Sequence, residues 1–517
     1  MIAWCTTFIL SAVFAEFPNQ AIWYGVAAGC AVAYLYVLNS WLTSVRRIHS
    51  VLVFQGLLSI VFSALSLTSW YFQTVRPYLT HLEELESYGI QRSFDLQILT
   101  LRNWHPLGHQ NYVAGYLILV LPLLIGLACA QRGWLRCVWL VGFLLSLATL
   151  YSTASRGGWL ALIANVLIFL SLSIWKYPKL CKALLGTGVA SLVTMFAWGL
   201  SSDRIRPHIF SLFSSDIDSK PSYRAITNAT GWFMGLDHPI FGAGLGSVTL
   251  MYQKYRPEWA GTEAQITYQL HSTPAQLWAE LGVLGVVLTA ASIFAVVYVG
   301  MSECKKAIKD DSQTLEFTPL LIGMVSALVG YAVYAVTDYQ LDNICISGVI
   351  LFFVAIIISF RKVAHGDDLP HTSSKEVTNQ LNLRRATFFC IGFLVAISIW
   401  LYPIHRAWLL SSRGFTALQK NDTLEFVAYL EKAHQLAPWE PYYPYQLGWN
   451  LGELAFQSTD SQQQEILRQE SVKWFRKATE LSPNREFGYS NLGWLLVNSE
   501  PQKATAEFLR AFQRTPE

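Results

Sequence analysis

Asn111-Tyr-Val-Ala-Gly-Tyr-Leu-Ile-Leu-Val-Leu-Pro-Leu-Leu-Ile-Gly-Leu-Ala-Cys-Ala130 runs for twenty residues without a charge. A helix of that length rises about 30 Å, the thickness of a bilayer's hydrocarbon core, and a helix satisfies its own backbone there. The stretch therefore predicts a membrane-spanning helix. Comparable runs occupy 2–15, 22–42, 50–73, 133–152, 156–175, 181–200, 275–299, 317–337, 343–360 and 386–404. About eleven spanning helices are expected, in an all-α polytopic membrane protein.

Composition agrees. Of 517 residues, 53% are hydrophobic and only 14% charged, and mean hydropathy is +0.34, far from the balance of a soluble globular chain. A net charge of +3, spread over many short loops, supports neither nucleic-acid binding nor a polybasic tail. The eight cysteines all lie in or beside apolar segments and encode no disulfide framework or metal site. The apolar N-terminus lacks a basic flank and reads as a first spanning helix rather than a signal peptide.

Basic residues set the orientation. Arg46/Arg47, Arg132/Arg136, Lys176/Lys179/Lys182, Lys305/Lys306/Lys309, and Arg361/Lys362 with Arg384/Arg385 fall in alternate loops, which the positive-inside rule makes cytoplasmic together with the N-terminus. The loops 74–110 and 201–274, and everything beyond 404, then lie on the far side, periplasmic for a protein of the bacterial inner membrane. Loops this long usually carry function. The expected division is a transmembrane domain over 1–404 and an α-helical domain over 405–517.

That tail is charged and helix-periodic, with Pro438, Pro483 and Pro516 closing successive units. The last interval approaches a tetratricopeptide period, and Gln446-Leu-Gly-Trp449 recurs as Asn491-Leu-Gly-Trp494. A polar insertion, Ser458–Gln463, lengthens the first interval. The reading is an imperfect array of two to three repeats that presents a docking surface.

Three sites carry chemistry. His271-Ser-Thr-Pro-Ala-Gln-Leu-Trp-Ala-Glu-Leu-Gly282 closes the long polar loop and opens an apolar helix, which puts an imidazole at the membrane surface, where it can act as a base. Thr153-Ala-Ser-Arg-Gly-Gly-Trp159 places Arg156 at a membrane boundary, and such a charge is a functional candidate; Gly157 and Gly158 leave room for a ligand or for close helix packing. Arg224 lies in a helix-like stretch leading to Asp237-His-Pro-Ile-Phe-Gly-Ala-Gly244, a turn able to offer backbone N–H groups to an anion. No strand precedes that turn, so a nucleotide fingerprint is not supported. Two arginines and a histidine on one face suit transfer of a group from a lipid diphosphate, because Arg binds phosphate bidentately and stays charged. Asp216 and Asp218 read as solvated, and no metal-ligand spacing occurs in the outer loops, so a metal-independent reaction without a cofactor is expected.

Together these segments resemble the O-antigen ligase/polymerase family, which includes lipid A-core ligases, O-antigen polymerases and O-linked protein oligosaccharyltransferases. The His271 to Gly282 segment carries most of the resemblance, although Pro274 and Ala275 depart from the family pattern. Ser155-Arg156-Gly157 is similar to its Ser-Arg-Gly element, Arg224 with Gly242 and Gly244 to its loop Arg and Pro-x-x-Gly-x-Gly, and Gly108-His-Gln-Asn-Tyr-Val-Ala-Gly115 to a further element. The resemblance implies a type C glycosyltransferase that moves glycan from an undecaprenyl diphosphate donor to an acceptor hydroxyl, with inversion. It implies that Arg156 and Arg224 hold the diphosphate, that His271 is the base, and that Ser155, Asn111, His109, Gly242 and Gly244 contact substrate. The acceptor is a lipid A-core, a glycan chain or a protein, and the tail suits a periplasmic protein partner. A bicarbonate transporter is the alternative of another class. It predicts inverted repeats and charges at the bilayer midplane, neither of which the sequence displays.

Overall fold

The computed structural model describes residues 1–89, 101–176, 223–261, 263–265, 267–309, 317–364 and 373–514, with 186, 190, 193 and 194 as isolated helical positions. The expected span at 181–200, the Asp216/Asp218 pair, Lys179, Lys182 and Pro516 lie outside these residues. Among the described residues every regular element is helical and there is no strand. Nine described helices are long and apolar enough to cross a membrane. The protein is an all-α polytopic membrane protein.

In chain order the helices are α1 (Ile2–Val13), α2 (Pro18–Trp41), α3 (Val45–Trp70), α4 (Arg76–Ser87), α5 (Gln110–Ala130), α6 (Trp134–Thr153), α7 (Arg156–Lys176), α8 (Tyr223–Asp237), α9 (Val248–Tyr255), α10 (Thr273–Lys309), α11 (Thr318–Thr337), α12 (Ile344–Ala364), α13 (Ser373–Gln419), α14 (Thr423–Leu436), α15 (Tyr442–Gln457), α16 (Ser461–Leu481), α17 (Glu486–Leu496) and α18 (Pro501–Phe512). Two boundaries differ from expectation. The loop expected from residue 74 begins as helix: a π turn over Tyr71–Val75 joins α3 to α4, the wider turn accommodating Pro77, which has no N–H to give the preceding turn. No break marks residue 404, because α13 runs on to Gln419 with Pro403 inside it.

The chain forms two compact units, Met1–Leu245 with Gln269–Asp367, and Gly246–Tyr268 with Asp368–Glu517. In the first, α5 is the central helix, packed against α6, α7 and α11, and every residue from Val113 to Leu124 is buried. Helices without a hydrophobic drive between them associate through close packing and polar links, and both are present. A Cβ on Gly323 would stand 2.6 Å from Pro122 O and one on Gly126 2.8 Å from Pro319 O, so α5 and α11 touch backbone to backbone. Asn165 of α7 donates to Ile118 O of α5 at 2.8 Å and lies against Gly330 of α11, where a Cβ would meet its Oδ1 at 1.7 Å. On α3 the buried face is a serine stripe: Ser63 bonds Ser146 at 2.9 Å, and Ser66 donates to His105 O at 2.6 Å.

At the C-terminal end of α10, buried Glu303 bonds Lys306 at 3.3 Å and lies 4.0 Å from Arg361 of α12. Lys362 donates to Asn39 at the end of α2, and Arg136 to carbonyls at the end of α5. By helix direction this basic end of the bundle is opposite to the one that holds the N-termini of α5, α7 and α10.

The second unit contains three packed helix pairs, the end of α13 with α14, α15 with α16, and α17 with α18. Each pair closes over a glycine: a Cβ on Gly414 would meet Leu430 at 2.4 Å, one on Gly448 Phe475 at 2.8 Å, and one on Gly493 Phe508 at 2.6 Å. The recurring Leu-Gly-Trp is thus the contact line of a pair. The insertion at Ser458–Gln463 becomes the start of α16, where Asp460 caps the helix through Gln462 N–H. Helix α9 belongs to this unit, with Val248 and Met251 buried and Leu250 O accepting from Asn484 at 3.1 Å.

Gly330→Ala is expected to lower stability by about 1–3 kcal/mol, since the added methyl overlaps Asn165. Gly348→Ala, where nothing crowds the position, should not. Melting temperatures of the two purified variants in detergent check this.

Candidate active site

His271 stands two residues before the start of α10, in left-handed backbone with φ of 50°, a conformation costing roughly 1–2 kcal/mol for a residue with a side chain. The surroundings hold it there. Leu270 N–H donates to the Gln276 side chain at 2.9 Å, which bonds Glu280 at 2.8 Å, and Thr273 Oγ1 donates to Asp338 O at 2.9 Å. Pro274 falls in the first turn, where a missing N–H costs the helix nothing.

The ring then meets a carboxylate: His271 Nδ1 lies 2.7 Å from Asp338 Oδ1, and Asp338 is buried, its side chain 3% exposed. With Nδ1–H donating to Asp338, Nε2 is the nitrogen left to take a proton. Asp338 Oδ2 accepts from Gln340 Nε2 at 3.1 Å, so both oxygens are engaged. Gln340 Nε2 also donates to Asn111 O at 2.7 Å, and Gly115 makes its place, because a Cβ there would stand 1.9 Å from Gln340 Oε1.

Asn111 and Ser155 complete the frame. Ser155 Oγ lies 3.1 Å from Asn111 Oδ1, 3.0 Å from the Tyr334 hydroxyl and 3.3 Å from Gly158 N–H, while Tyr334 donates to Asn111 O at 3.0 Å. Gly157 admits α11, since a Cβ would meet Thr337 Oγ1 at 2.5 Å and Tyr334 at 2.7 Å. The pair Gly157-Gly158 therefore serves helix approach, which sets the first residue of α7, Arg156, beside this network.

Arg224 and Arg102 are near enough to Arg156 that their like charges act on it. Arg156 opens α7 and Arg224 is the second residue of α8, positions where the helix dipole adds partial positive charge. Helix α8 is fixed to the start of α10: Gly231 receives Leu270 and Ala275, Gly235 receives Trp278, and Trp278 Nε1 donates to Trp232 O at 3.2 Å. The short side chain at Ala275 suits this crossing. Around His271 the Tyr223 ring stands edge-on at 5.4 Å and the His109 ring at 6.3 Å, while Gln269 bonds Tyr112 at 2.7 Å and Asp342.

His109 caps α5 by accepting Asn111 N–H at Nδ1, 3.2 Å away, which needs a neutral ring. Burial pushes its pKa below the usual histidine value, opposed by Asp338 and reinforced by His271 and Arg102. Asp342 is pushed up to about 6, chiefly because protein crowds it, with Gln269 and backbone donors working the other way.

The structure brings together His271, Arg156, Arg224, Ser155, Asn111 and His109. Gly242 and Gly244 lie elsewhere. They dock on a break in α10 at Gly282, φ 62°, where Gly242 N–H donates to His238 O at 3.0 Å and Gly244 N–H to Glu280 O at 3.1 Å. A Cβ on Gly242 would stand 2.1 Å from the Glu280 carbonyl carbon. Their amides are occupied by protein carbonyls, not directed at an anion.

The sequence reading passed over Asp338, Gln340, Tyr334, Tyr112 and Arg102. A signal existed for Asp338, a carboxylate directly after the apolar run 317–337. Among the described residues no cluster of His, Cys, Asp and Glu is placed to hold a metal.

Residues 141–290 match the family model described as O-antigen ligase, a segment containing Arg156, Arg224 and His271. This segment is similar to the O-antigen ligase family. It is also similar to the O-antigen ligase of Salmonella typhimurium, 25% identical over 180 residues, or 34% of this chain. That similarity spans 43% of the relative's length. Asp338 and Gln340 lie beyond the family-model segment and reach its His through the fold.

The lowered pKa of His109 gives a sign to test. A histidine with a depressed pKa contributes stability above its unfolded value near 6.5 that is lost as pH falls below it. His109→Asn keeps a helix-capping acceptor that does not titrate. Melting curves at pH 8 and pH 5 should show the variant losing less on acidification than the native protein.

Proposed function

We propose that the protein is a membrane glycosyltransferase that moves a glycan from an undecaprenyl diphosphate donor to an acceptor hydroxyl on the periplasmic face, inverting the linkage without a metal. The observation that carries this reading is the His271–Asp338 pair set beside three arginines at the end of the bundle opposite its basic rim. That basic rim supports a cytoplasmic N-terminus and a periplasmic active site.

In the reaction, His271 Nε2 takes the proton of the acceptor hydroxyl as its oxygen bonds to the anomeric carbon. The bond from that carbon to the diphosphate oxygen breaks, and its electron pair leaves on the diphosphate. Attack opposite the leaving group inverts the configuration. Asp338 orients the imidazole and offsets the charge it acquires. Arg156 and Arg224, with Arg102, offset the charge on the departing diphosphate, a role for which fixed guanidinium groups suffice. Ser155 and Asn111 fix where α7 and α5 present those groups. The base contributes about 10²–10⁴-fold, and the electrostatic contribution is of the same order.

The helix pairs after α13 form, on this reading, a periplasmic tetratricopeptide-like array over 405–517. Such an array suits a protein acceptor or an assembly partner as well as a lipid A-core or a growing glycan, so protein oligosaccharyltransferase and polymerase activities remain variants of the same chemistry.

His271→Ala should abolish transfer while the protein still inserts and melts normally. Asp338→Asn, which keeps the size but removes the charge facing the imidazole, should reduce kcat by about 10²–10⁴-fold with little change in KM. Lipid-linked glycan turnover in membranes from complemented deletion cells measures both. A well-folded His271→Ala protein with full activity would refute the reading.

A further inference from the structure

The second unit holds a cleft of about 280 Å³ between α15, α16 and α17, lined by Trp449, Glu453, Phe456, Asn491 and Trp494 among others. That is near the small end of ligand sites. Trp449 and Trp494 are the third residues of the two Leu-Gly-Trp motifs, so successive helix pairs place an indole at the same position. Both are unusually open for tryptophan, 43% and 63% exposed, yet neither is loose. Tyr445 stacks on Trp449 at 6.5 Å and 16°, and Phe508 meets Trp494 edge-on at 5.5 Å. Tyr445 also bonds Asn491, and Gly452 lines the cleft without a side chain to fill it.

Two braced indole faces in series, flanked by a carboxylate and a carboxamide, match one chemistry. A pyranose ring has an apolar face of C–H groups, which the electron-rich indole face attracts, and a rim of hydroxyls that need donors and acceptors. An apolar helix would call for an aliphatic or Met-rich groove, whereas here aromatic faces alternate with hydrogen-bonding groups.

We propose that the cleft between Trp449 and Trp494 is a glycan-binding site, gripping successive sugar units of a polysaccharide chain away from the reacting end. Glu453 and Asn491 bond the ring hydroxyls. The inference rests on the glycosyltransferase reading, since it identifies the bound chain with that enzyme's own glycan.

The test uses the full-length protein carrying His271→Ala, in detergent, and the free glycan that mild acid releases from the lipid-linked pool of cells expressing that variant. Calorimetric titration should give measurable binding that each of Trp449→Ala and Trp494→Ala weakens by about threefold to tenfold and the double variant by more than tenfold. Trp449→Phe should recover part of the loss, and melting temperatures should fall only modestly because both side chains are half-exposed, so that each variant is still folded when binding is measured. Unchanged binding by the double variant would overturn the assignment and leave the cleft to a peptide, with the transferase reading intact. If no lipid-linked glycan accumulates in those cells, the transferase reading itself fails, and the glycan site with it.

Discussion

A carboxylate as enclosed as Asp338 is costly unless donors reach it, and much of the membrane unit is arranged so that they do. One oxygen takes His271 and the other Gln340; Gln340 in turn ties to Asn111, and Asn111 to Tyr334 and Ser155. Three segments distant in sequence, those of Asn111, Ser155 and His271, are thereby fixed around one acid. Because His271 also holds a left-handed backbone angle, its direction is set from both the main chain and the ring. Such over-determination leaves the imidazole little to reorganise before it meets another group.

Close helix approach makes this arrangement possible. At Gly323 and Gly330, α11 comes within contact of the backbones of α5 and α7, and at Gly157 α7 receives side chains of α11, while the polar network spans the gaps with short side chains. Larger residues at these positions would separate the helices that carry Ser155, Arg156 and Asp338. The glycine-rich turn before Gly246 plays a related part, covering the break in α10 so that its first nine residues pack on α8 and fix Arg224's helix near His271.

Much of this was legible beforehand. Apolar length marked nine of the spans that the described residues contain as helices, and a charge at a membrane boundary singled out Arg156 as a candidate, because both readings follow from desolvation alone. His271 was visible as an imidazole between a polar loop and an apolar run. Its partner was not, because nothing local to Asp338 announces a contact 67 residues away; that pairing depends on the crossing of α10 and α11. Gly242 and Gly244 were misleading for a physical reason, since a glycine needed for close backbone approach looks the same in sequence as one that cradles an anion. In the tail, the Leu-Gly-Trp recurrence was visible in the sequence, but only the folded pairs set its glycines at helix contacts and its two tryptophans in one cleft.

Helix α9 joins the tail's unit although the residues on either side of it belong to the membrane unit. Its Val248, Met251 and Tyr252 are buried, and Asn484 bonds Leu250. Removing the helix pairs would therefore strip cover from an apolar segment less than twenty residues before Gln269 in the loop that carries His271. A tail-less protein would differ from the native one in the footing of the loop that leads to His271, so a change after truncation would not by itself assign the tail a role in recruiting a partner.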